Sequence, residues 1–166
     1  MTQPSTQLPL RPNVGACLFN REGLVFIGRR ADQPAGEAAS GAWQMPQGGL
    51  DGGEEPEAAV LRELSEEIGT RNARVMGRME EWLDYDLPAH LVGKALGGRF
   101  RGQTQLWFAL RFLGEDSEIR LDADRHQEFD AWRWVPLAEL PAIAVPFRRP
   151  IYERLALDFA RYAVPG

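Results

Sequence analysis

Three glutamates lie close together in residues 48–70, GGLDGGEEPEAAVLRELSEEIGT. If the chain is helical from Pro56 onwards, at about 100° per residue, then Glu63, Glu66 and Glu67 share one narrow arc of the helix. Like charges at this spacing repel one another and raise each other's pKa, so the arrangement is unfavourable without a counterion. A hard divalent cation with oxygen ligands removes the conflict. Mg²⁺ is the expected cation because it accepts few protein ligands together with phosphate and water.

The residues around these glutamates predict how the helix begins, ends and packs. Pro56 suits the first helical position and Gly69 suits the C-terminal cap. Leu61, Leu64 and Ile68 fall on a different arc from the carboxylates. One face of the helix is therefore expected to pack on a core while the other presents the charges.

A solvated acidic helix face is the alternative interpretation of this pattern. Three features favour a functional site instead. Arg62 lies beside Glu66 on the helix and can orient a carboxylate by a forked hydrogen bond, and Glu54 comes just before the helix. The preceding glycine-rich loop allows the backbone to approach a ligand closely.

This segment resembles the Nudix box, G-x5-E-x7-R-E-U-x-E-E-x-G-U, where U is a bulky aliphatic residue. Only the last position departs, with Thr70 in place of an aliphatic residue. The resemblance implies an α/β (α+β) fold, an α/β/α sandwich with a mixed central sheet. It also implies a hydrolase that cleaves a diphosphate linkage with divalent metals. The matching residues are Gly48, Glu54, Arg62, Glu63, Leu64, Glu66, Glu67 and Gly69.

The resemblance also implies roles for the residues of the box. Glu63, Glu66 and Glu67 would ligate the metal, with the Gly48 carbonyl as a further ligand. Glu54 would assist the helix, and Arg62 would hold a glutamate in place. The expected cofactor is Mg²⁺, with Mn²⁺ as an acceptable substitute.

Further segments extend the resemblance along nearly the whole chain, to the bacterial RNA 5′-pyrophosphohydrolase and diadenosine-polyphosphate hydrolase branch of the family. Members of this branch remove pyrophosphate from the 5′-triphosphate end of RNA, split dinucleoside tetraphosphates asymmetrically, or do both. The RNA end is the preferred substrate here, and diadenosine tetraphosphate is the alternative. Glu128 matches a glutamate that in this branch is a further metal ligand or the base that activates water. The segments are RPNVG (11–15), WQMPQGG (43–49), WLDYDLP (82–88), GQTQLWF (102–108), EFDAWRW (128–134) and VPFR (145–148).

Several residues outside the box are predicted to contact the substrate. Aromatic rings and guanidinium groups stack on unpaired bases, and arginine also contacts phosphate. In the resembling branch, the positions of Arg11, Val145, Phe147 and Arg148 surround the second nucleotide. Further contacts are expected from Arg30, Tyr85, Gln44 and Gln47, whereas Trp82 is expected in the core.

One departure from the branch concerns polyphosphate binding. Thr104 and Leu106 occupy positions where the branch usually has lysine. Tight contact with a polyphosphate from this strand is therefore in doubt, unless Lys94, Arg99 or Arg101 takes over from the preceding loop.

Length and composition predict one enzyme domain. The expected division is an N-terminal extension at 1–12 and a single Nudix domain at 13–166, in a cytoplasmic monomer or weak homodimer. A net charge of −5 argues against duplex DNA as a partner, and no segment is apolar enough to span a membrane. Cys17, in an apolar strand pattern, is expected to be a buried small residue. A non-catalytic nucleotide sensor and an enzyme for small nucleotides such as ADP-ribose are the rival functions.

The hydrophobic pattern predicts strands before and after the box helix, and a closing helix. Residues 31–41 are predicted to be a loop. The predicted strands are 14–19, 24–28, 43–45, 73–86 (continuing into a loop), 103–113 and 131–135; the predicted helices are 137–140 and 149–163.

Overall fold

The computed structural model describes residues 8–32 and 42–166. Within them the chain forms eight strands and three α-helices. The strands are β1 (Leu10–Phe19), β2 (Val25–Arg30), β3 (Trp43–Gln44), β4 (Gln47–Gly49), β5 (Ala73–Arg78), β6 (Leu83–Asp86), β7 (Gly102–Phe112) and β8 (Phe129–Val135). The helices are α1 (Pro56–Ile68), α2 (Leu140–Ile143) and α3 (Arg149–Asp158). Short 3-10 turns lie at Ala89–Leu91, Ala95–Gly98, Asp116–Glu118, Leu137–Glu139, Pro146–Arg148 and Ala160–Tyr162.

All eight strands belong to one mixed sheet. The central path is β3-β2-β1-β7-β5, while β4 pairs with β1, β6 with β7 and β8 with β2. The β1–β7 pair is parallel and runs along the whole of β1, and the other pairs are antiparallel. The predicted mixed central sheet is confirmed.

The sheet is covered on both faces, because alternate residues of its central strand enter two different cores. Trp107 and Ala109 of β7 pack with residues of α3, such as Tyr152. Leu106 and Phe108 pack with residues of α1, such as Leu64. The α/β/α sandwich follows directly from this alternation.

Helix α1 begins and ends where its sequence predicts. Pro56 is its first residue, and Gly69 caps its end with a φ of 76°, in the left-handed region that favours glycine. Leu64 and Ile68 are buried as expected. The face that carries the carboxylates is less exposed than expected, because Glu63 and Glu67 are also buried.

Other elements depart from the sequence predictions in detail. The strand predicted at 73–86 is two strands, β5 and β6, and β4 was not predicted. Trp82, expected in the core, lies between β5 and β6 and is 40% exposed. Helix α3 ends at Asp158, five residues before the predicted end, and a 3-10 turn follows.

Part of the expected N-terminal extension lies among the described residues. β1 begins at Leu10, so residues 10–12 of the expected N-terminal extension lie in the sheet. Residues 1–7 and most of the loop predicted at 31–41 fall outside the described residues. Within the described ranges, no helix is long and apolar enough to cross a bilayer. Cys17 is fully buried, and burial raises the pKa of its thiol.

A close approach between β1 and β7 requires glycine at position 15. Gly15 is the direct partner of Trp107 in the parallel ladder. A Cβ atom on Gly15 would lie 2.5 Å from three carbon atoms of the Trp107 ring. The ring is fully buried, so it has no free space into which it could move.

We expect Gly15→Ala to lower the free energy of unfolding by about 1–3 kcal/mol, because the added methyl group overpacks this contact. Chemical denaturation followed by tryptophan fluorescence measures the change. Gly52→Ala is the matched control, since no described atom lies within 4 Å of a Cβ built there. Equal stability of the Gly15 and Gly52 variants would contradict the packing argument.

Candidate active site

A cleft of about 670 Å³ opens where β1, β4, β6 and β7 meet the carboxylate face of α1. Further segments also line the cleft: the ends of β2 and β3, the stretch between β6 and β7, the loop before β8 and the turn before α3. Its wall combines acidic, basic, amide and apolar side chains, so it is suited to a ligand that has both phosphates and bases. The lining residues used below are Arg11, Asn13, Arg30, Gln44, Gln47, Gly48, Glu63, Glu66, Glu67, Tyr85, Leu87, Leu91, Leu96, Gln103, Asp124, His126, Glu128, Phe147 and Arg148.

Arg62 links the carboxylates at one end of the cleft. Its Nε donates to Glu54 at 2.8 Å, and its Nη1 donates to Glu63 at 3.0 Å and to Glu66 at 3.2 Å. A further bond, from Nη2 to the Gly49 carbonyl at 3.1 Å, ties α1 to β4. These bonds raise the pKa of Arg62, the bond with Glu54 most of all. The same bond lowers the pKa of Glu54. Neither Arg62 nor Glu54 lines the cleft, so both act from behind it.

Glu63 lies directly over the backbone of β4. A Cβ atom on Gly48 would collide with the Glu63 carboxylate, so only glycine leaves room for this carboxylate. Burial raises the pKa of Glu63 to about 7. The Arg62 guanidinium opposes this rise, and the Glu66 carboxylate adds to it. The raised pKa therefore favours the protonated form of Glu63 more than that of an ordinary carboxyl.

Glu67 is the most deeply buried carboxylate of α1. Only 4% of the residue is exposed, and its Oε2 atom has no hydrogen-bond partner among the described residues. Burial raises the pKa of Glu67 well above its ordinary value, and the charges of Glu63 and Glu128 act in the same direction. A buried oxygen without a partner is costly, so this atom is available to a bound ligand.

The donor set at this end of the cleft fits a hard divalent cation. It offers the oxygens of Glu63, Glu66 and Glu67 and the backbone of Gly48, and such cations prefer oxygen ligands. Within residues 8–32 and 42–166, no three His, Cys, Asp or Glu side chains already form a compact metal-binding group. Glu63 and Glu66 bond to Arg62 instead, so a cation has to draw them away from the guanidinium.

Glu128 lies across the cleft from α1, at the end of the loop before β8. Its side chain is 45% exposed, and its Oε1 is 3.4 Å from Nε2 of His126. Although Glu128 is about 60 residues from the box glutamates, its charge contributes to the raised pKa values of Glu63 and Glu67. The fold therefore brings these three carboxylates together. His126 also lines the cleft.

The residues predicted to contact the second nucleotide are mostly on the cleft wall. The Phe147 and Tyr85 ring centroids are 5.5 Å apart, and the Arg148 guanidinium lies 5.7 Å from each ring. Arg148 also donates to Gln44 at 2.9 Å, while its buried Nε has no partner among the described residues. Val145 does not line the cleft; its carbonyl accepts the backbone bonds of the following turn.

The remaining predicted contacts lie closer to the carboxylates. Arg11 and Gln47 line the cleft beside β4. Arg30 also lines it, but its guanidinium forms an ion pair with Asp32 at 2.6 Å. A substrate phosphate would have to compete with Asp32 for this arginine.

The positions of the two missing lysines have different environments. Leu106 is buried in the core beneath α1, and Thr104 is only partly buried in β7. The residues proposed to compensate do not line the cleft: Lys94 and Arg99 are exposed outside it, and Arg101 forms an ion pair with Asp86 at 2.9 Å. Among the described residues that line the cleft, three are basic, and all three are arginines: Arg11, Arg30 and Arg148.

Two groups of cleft residues were not predicted from the sequence. The first is the set of buried amides Asn13, Gln103 and Gln105, of which Gln105 lies just behind the wall. Polar residues that alternate at the start of an otherwise apolar strand are the signal that could have found the two glutamines. The second is an apolar wall of Leu87, Leu91 and Leu96, whose spacing gave no signal.

Comparison with known proteins identifies the family. The NUDIX domain profile matches residues 9–155. The RNA pyrophosphohydrolase of Gluconacetobacter diazotrophicus is 59% identical over 164 residues, which cover 98% of each chain. That of Acidiphilium cryptum is 60% identical over 159 residues, which cover 96% of this chain and 95% of the relative.

Solved structures support the fold alone, because their sequences are distant. An E. coli dihydroneopterin triphosphate pyrophosphohydrolase superposes with a TM-score of 0.66 at 18% identity, covering 90% of this chain and 99% of that one. A C. elegans Ap4A hydrolase superposes with a TM-score of 0.63 at 16% identity, covering 92% and 99%. The profile match and the near full-length relatives together show that this chain is a Nudix hydrolase, in the branch whose curated members are named RNA pyrophosphohydrolase.

Proposed function

We propose that this protein is a Mg²⁺-dependent pyrophosphohydrolase that removes pyrophosphate from the 5′-triphosphate end of RNA in the cytoplasm. The observation that carries the proposal is the carboxylate cluster of Glu63, Glu66 and Glu67, of which Glu63 and Glu67 are buried, in a cleft that also contains arginines and aromatic rings. Near full-length relatives named RNA pyrophosphohydrolase support the choice of RNA as substrate.

Glu63, Glu66 and Glu67, with the Gly48 carbonyl, would hold the cation. Nudix hydrolases generally use divalent metal ions. When bound, Mg²⁺ supplies positive charge beside the phosphate oxygens and makes the attacking water more acidic. The oxygen-only donor set suits Mg²⁺, and Mn²⁺ accepts the same ligands.

The chain's own residues supply orientation and proton transfer. Arg62 and Glu54 fix the helix face from behind, through the Arg62–Glu54 bond at 2.8 Å and the Arg62–Gly49 bond at 3.1 Å. Glu128 lies on the opposite wall and is partly exposed, so it can reach a water molecule in the cleft and accept its proton. Arg11, Arg30 and Gln47, which line the cleft, would hold the phosphates.

The Phe147–Tyr85 pair and the Arg148 guanidinium would bind an unpaired base of the RNA. Flat rings and guanidinium planes bind bases by stacking, whatever their sequence. Such a base lies beyond the triphosphate, so these residues favour RNA ends over small nucleotides. Diadenosine tetraphosphate, which also carries a second base, is therefore the substrate to compare.

The proposed function is tested by assaying purified protein and Mg²⁺ with triphosphorylated RNA, diadenosine tetraphosphate and ADP-ribose, with products identified by mass. We expect pyrophosphate and monophosphorylated RNA, with the highest kcat/KM for RNA. Glu67→Gln should lower kcat by roughly 10²-fold or more while the unfolding temperature is kept, because a metal ligand is lost and a buried carboxyl becomes a neutral amide.

The matched control is Glu57→Gln, in the exposed first turn of the same helix and outside the cleft. It should retain wild-type turnover. Near-wild-type activity of the Glu67 variant would contradict the role of the carboxylate cluster. Hydrolysis of ADP-ribose faster than RNA would contradict the proposed substrate.

Cation binding should strengthen as the pH rises from 6 to 8. In the metal-free protein Glu63 has a pKa of about 7 and that of Glu67 is also raised, so binding a cation must release protons. Each released proton gives about a tenfold change in affinity per pH unit below the pKa. Titration calorimetry with Mn²⁺ in buffers of different ionisation enthalpy measures both affinity and proton release.

The same raised pKa values also affect the stability of the metal-free protein, which decreases as the pH rises whereas the cation affinity increases. Glu63 of the unfolded chain releases its proton near the ordinary carboxyl pKa, whereas Glu63 of the folded metal-free protein keeps it to about pH 7, and the pKa of Glu67 is raised in the same direction. The stability due to the protonated Glu63 is therefore complete below the ordinary pKa and is lost as the pH rises through about 7. A Mn²⁺ affinity that does not vary with pH would contradict the assignment of these carboxylates.

Phe147→Ala should reduce kcat/KM for triphosphorylated RNA by about tenfold or more, since one stacked base is worth roughly 1–3 kcal/mol. Its effect on hydrolysis of a nucleoside triphosphate should be smaller. Leu157→Ala is the control, because Leu157 is an apolar residue that is 76% exposed and lies outside the cleft. Equal losses on both substrates would exclude a stacking role for Phe147.

A further inference from the structure

A network of side chains runs from behind the cleft to its wall, and we call it the amide network: Asn13 of β1, Gln47 of β4, and Gln105 and Trp107 of β7. Asn13, Gln105 and Trp107 are buried, and Gln47 is partly buried. Asn13 and Gln105 are direct partners in the parallel ladder, and Gly15 is paired with both Gln47 and Trp107. The Gln105 side chain thus reaches two strands, and the residue is fully buried.

The hydrogen bonds of Gln105 have a fixed direction. The Trp107 indole Nε1 donates to the Gln105 carbonyl oxygen at 3.1 Å. An indole N–H can only donate, so it must face an oxygen and never an NH₂ group. The Gln105 NH₂ group then points the other way. It donates to Gln47 Oε1 at 2.8 Å and to Asn13 Oδ1 at 3.1 Å.

This direction is passed on to the next two amides. The amides of Asn13 and Gln47 each have one oxygen and one NH₂ group. Because the oxygen accepts a hydrogen bond from Gln105, the NH₂ group points away from Gln105. Asn13 and Gln47 both line the cleft. Among the described residues, no acceptor takes a hydrogen bond from either of their NH₂ groups. Both groups are therefore available to a ligand.

We infer that Gln105, oriented by Trp107, is a positioning residue that makes Asn13 and Gln47 present NH₂ donors to the phosphate oxygens of the substrate. This inference rests on the proposed function. Neutral donors held in place by the protein bind phosphate without adding charge beside the cation. If either amide were turned over, its carbonyl oxygen would face the phosphate and repel it.

The network also accounts for the missing lysines. The wall has few basic side chains, and Thr104 and Leu106 cannot supply them. Because Gln105 of β7 orients the amide donors of Asn13 and Gln47, β7 contributes to phosphate binding without a lysine of its own. The backbone N–H groups are engaged in the sheet on both sides of β1, so side-chain amides are the available donors there.

The kinetic test uses Gln105→Met, which keeps the size of the side chain and removes both its donors and its acceptor. We expect KM for triphosphorylated RNA to rise about tenfold while kcat changes less than about threefold. Trp107→Phe, which removes the orienting donor together with one ring of the indole, should raise KM by a smaller factor. Trp134→Phe is its matched control, because Trp134 Nε1 also makes one bond of 3.1 Å, to Asp116, far from the cleft.

A measurement on the wild-type protein keeps the test decisive if a variant is unstable. In protein labelled with ¹⁵N, adding inorganic pyrophosphate and Mg²⁺ should shift the side-chain NH₂ resonances of Asn13 and Gln47. Unshifted resonances, or a Gln105→Met variant that loses kcat and thermal stability at unchanged KM, would overturn the inference. A wild-type protein that binds pyrophosphate with these shifts but does not cleave triphosphorylated RNA would instead overturn the proposed function.

Discussion

Repulsion among buried carboxylates is the constraint on which the rest of the site depends. Glu63 and Glu67 are taken out of water on one side of a single helix, where burial raises the pKa of both. The fold tolerates them because Arg62 neutralises part of the charge from behind, and because part of the carboxyl population keeps its proton. A cation bound as proposed above would therefore replace protons and contacts with Arg62.

The surrounding elements can be understood as supports for this arrangement. Gly48 is the point where β4 passes beneath the Glu63 carboxylate, and a side chain there would push the carboxylate away. Gly15 allows the Trp107 ring to lie against β1, which in turn orients Gln105. The two glycines thus set the spacing of the charged and the neutral parts of the cleft.

Much of the fold and of the charged part of the site could be predicted from the sequence, because both depend on local periodicity. The box helix, its ends and its carboxylate arc follow from about 100° per residue, and the central position of β7 follows from its apolar residues on both faces. The burial of Glu63 and Glu67 could not be predicted in this way, since it depends on β4, a strand of three residues. The amide network was missed for a related reason: it joins residues from three strands.

The parallel pairing of β1 with β7 has a consequence for how the protein becomes active. Asn13 and Gln105 are 92 positions apart in the chain, yet they share one hydrogen bond at the cleft. Contacts between such distant residues form late, since the long intervening segment must first be closed into a loop. A growing polypeptide on the ribosome carries the acidic helix, Asn13 and Gln47 well before Gln105 has been synthesised. The complete wall of the cleft therefore requires the first and seventh strands to have paired.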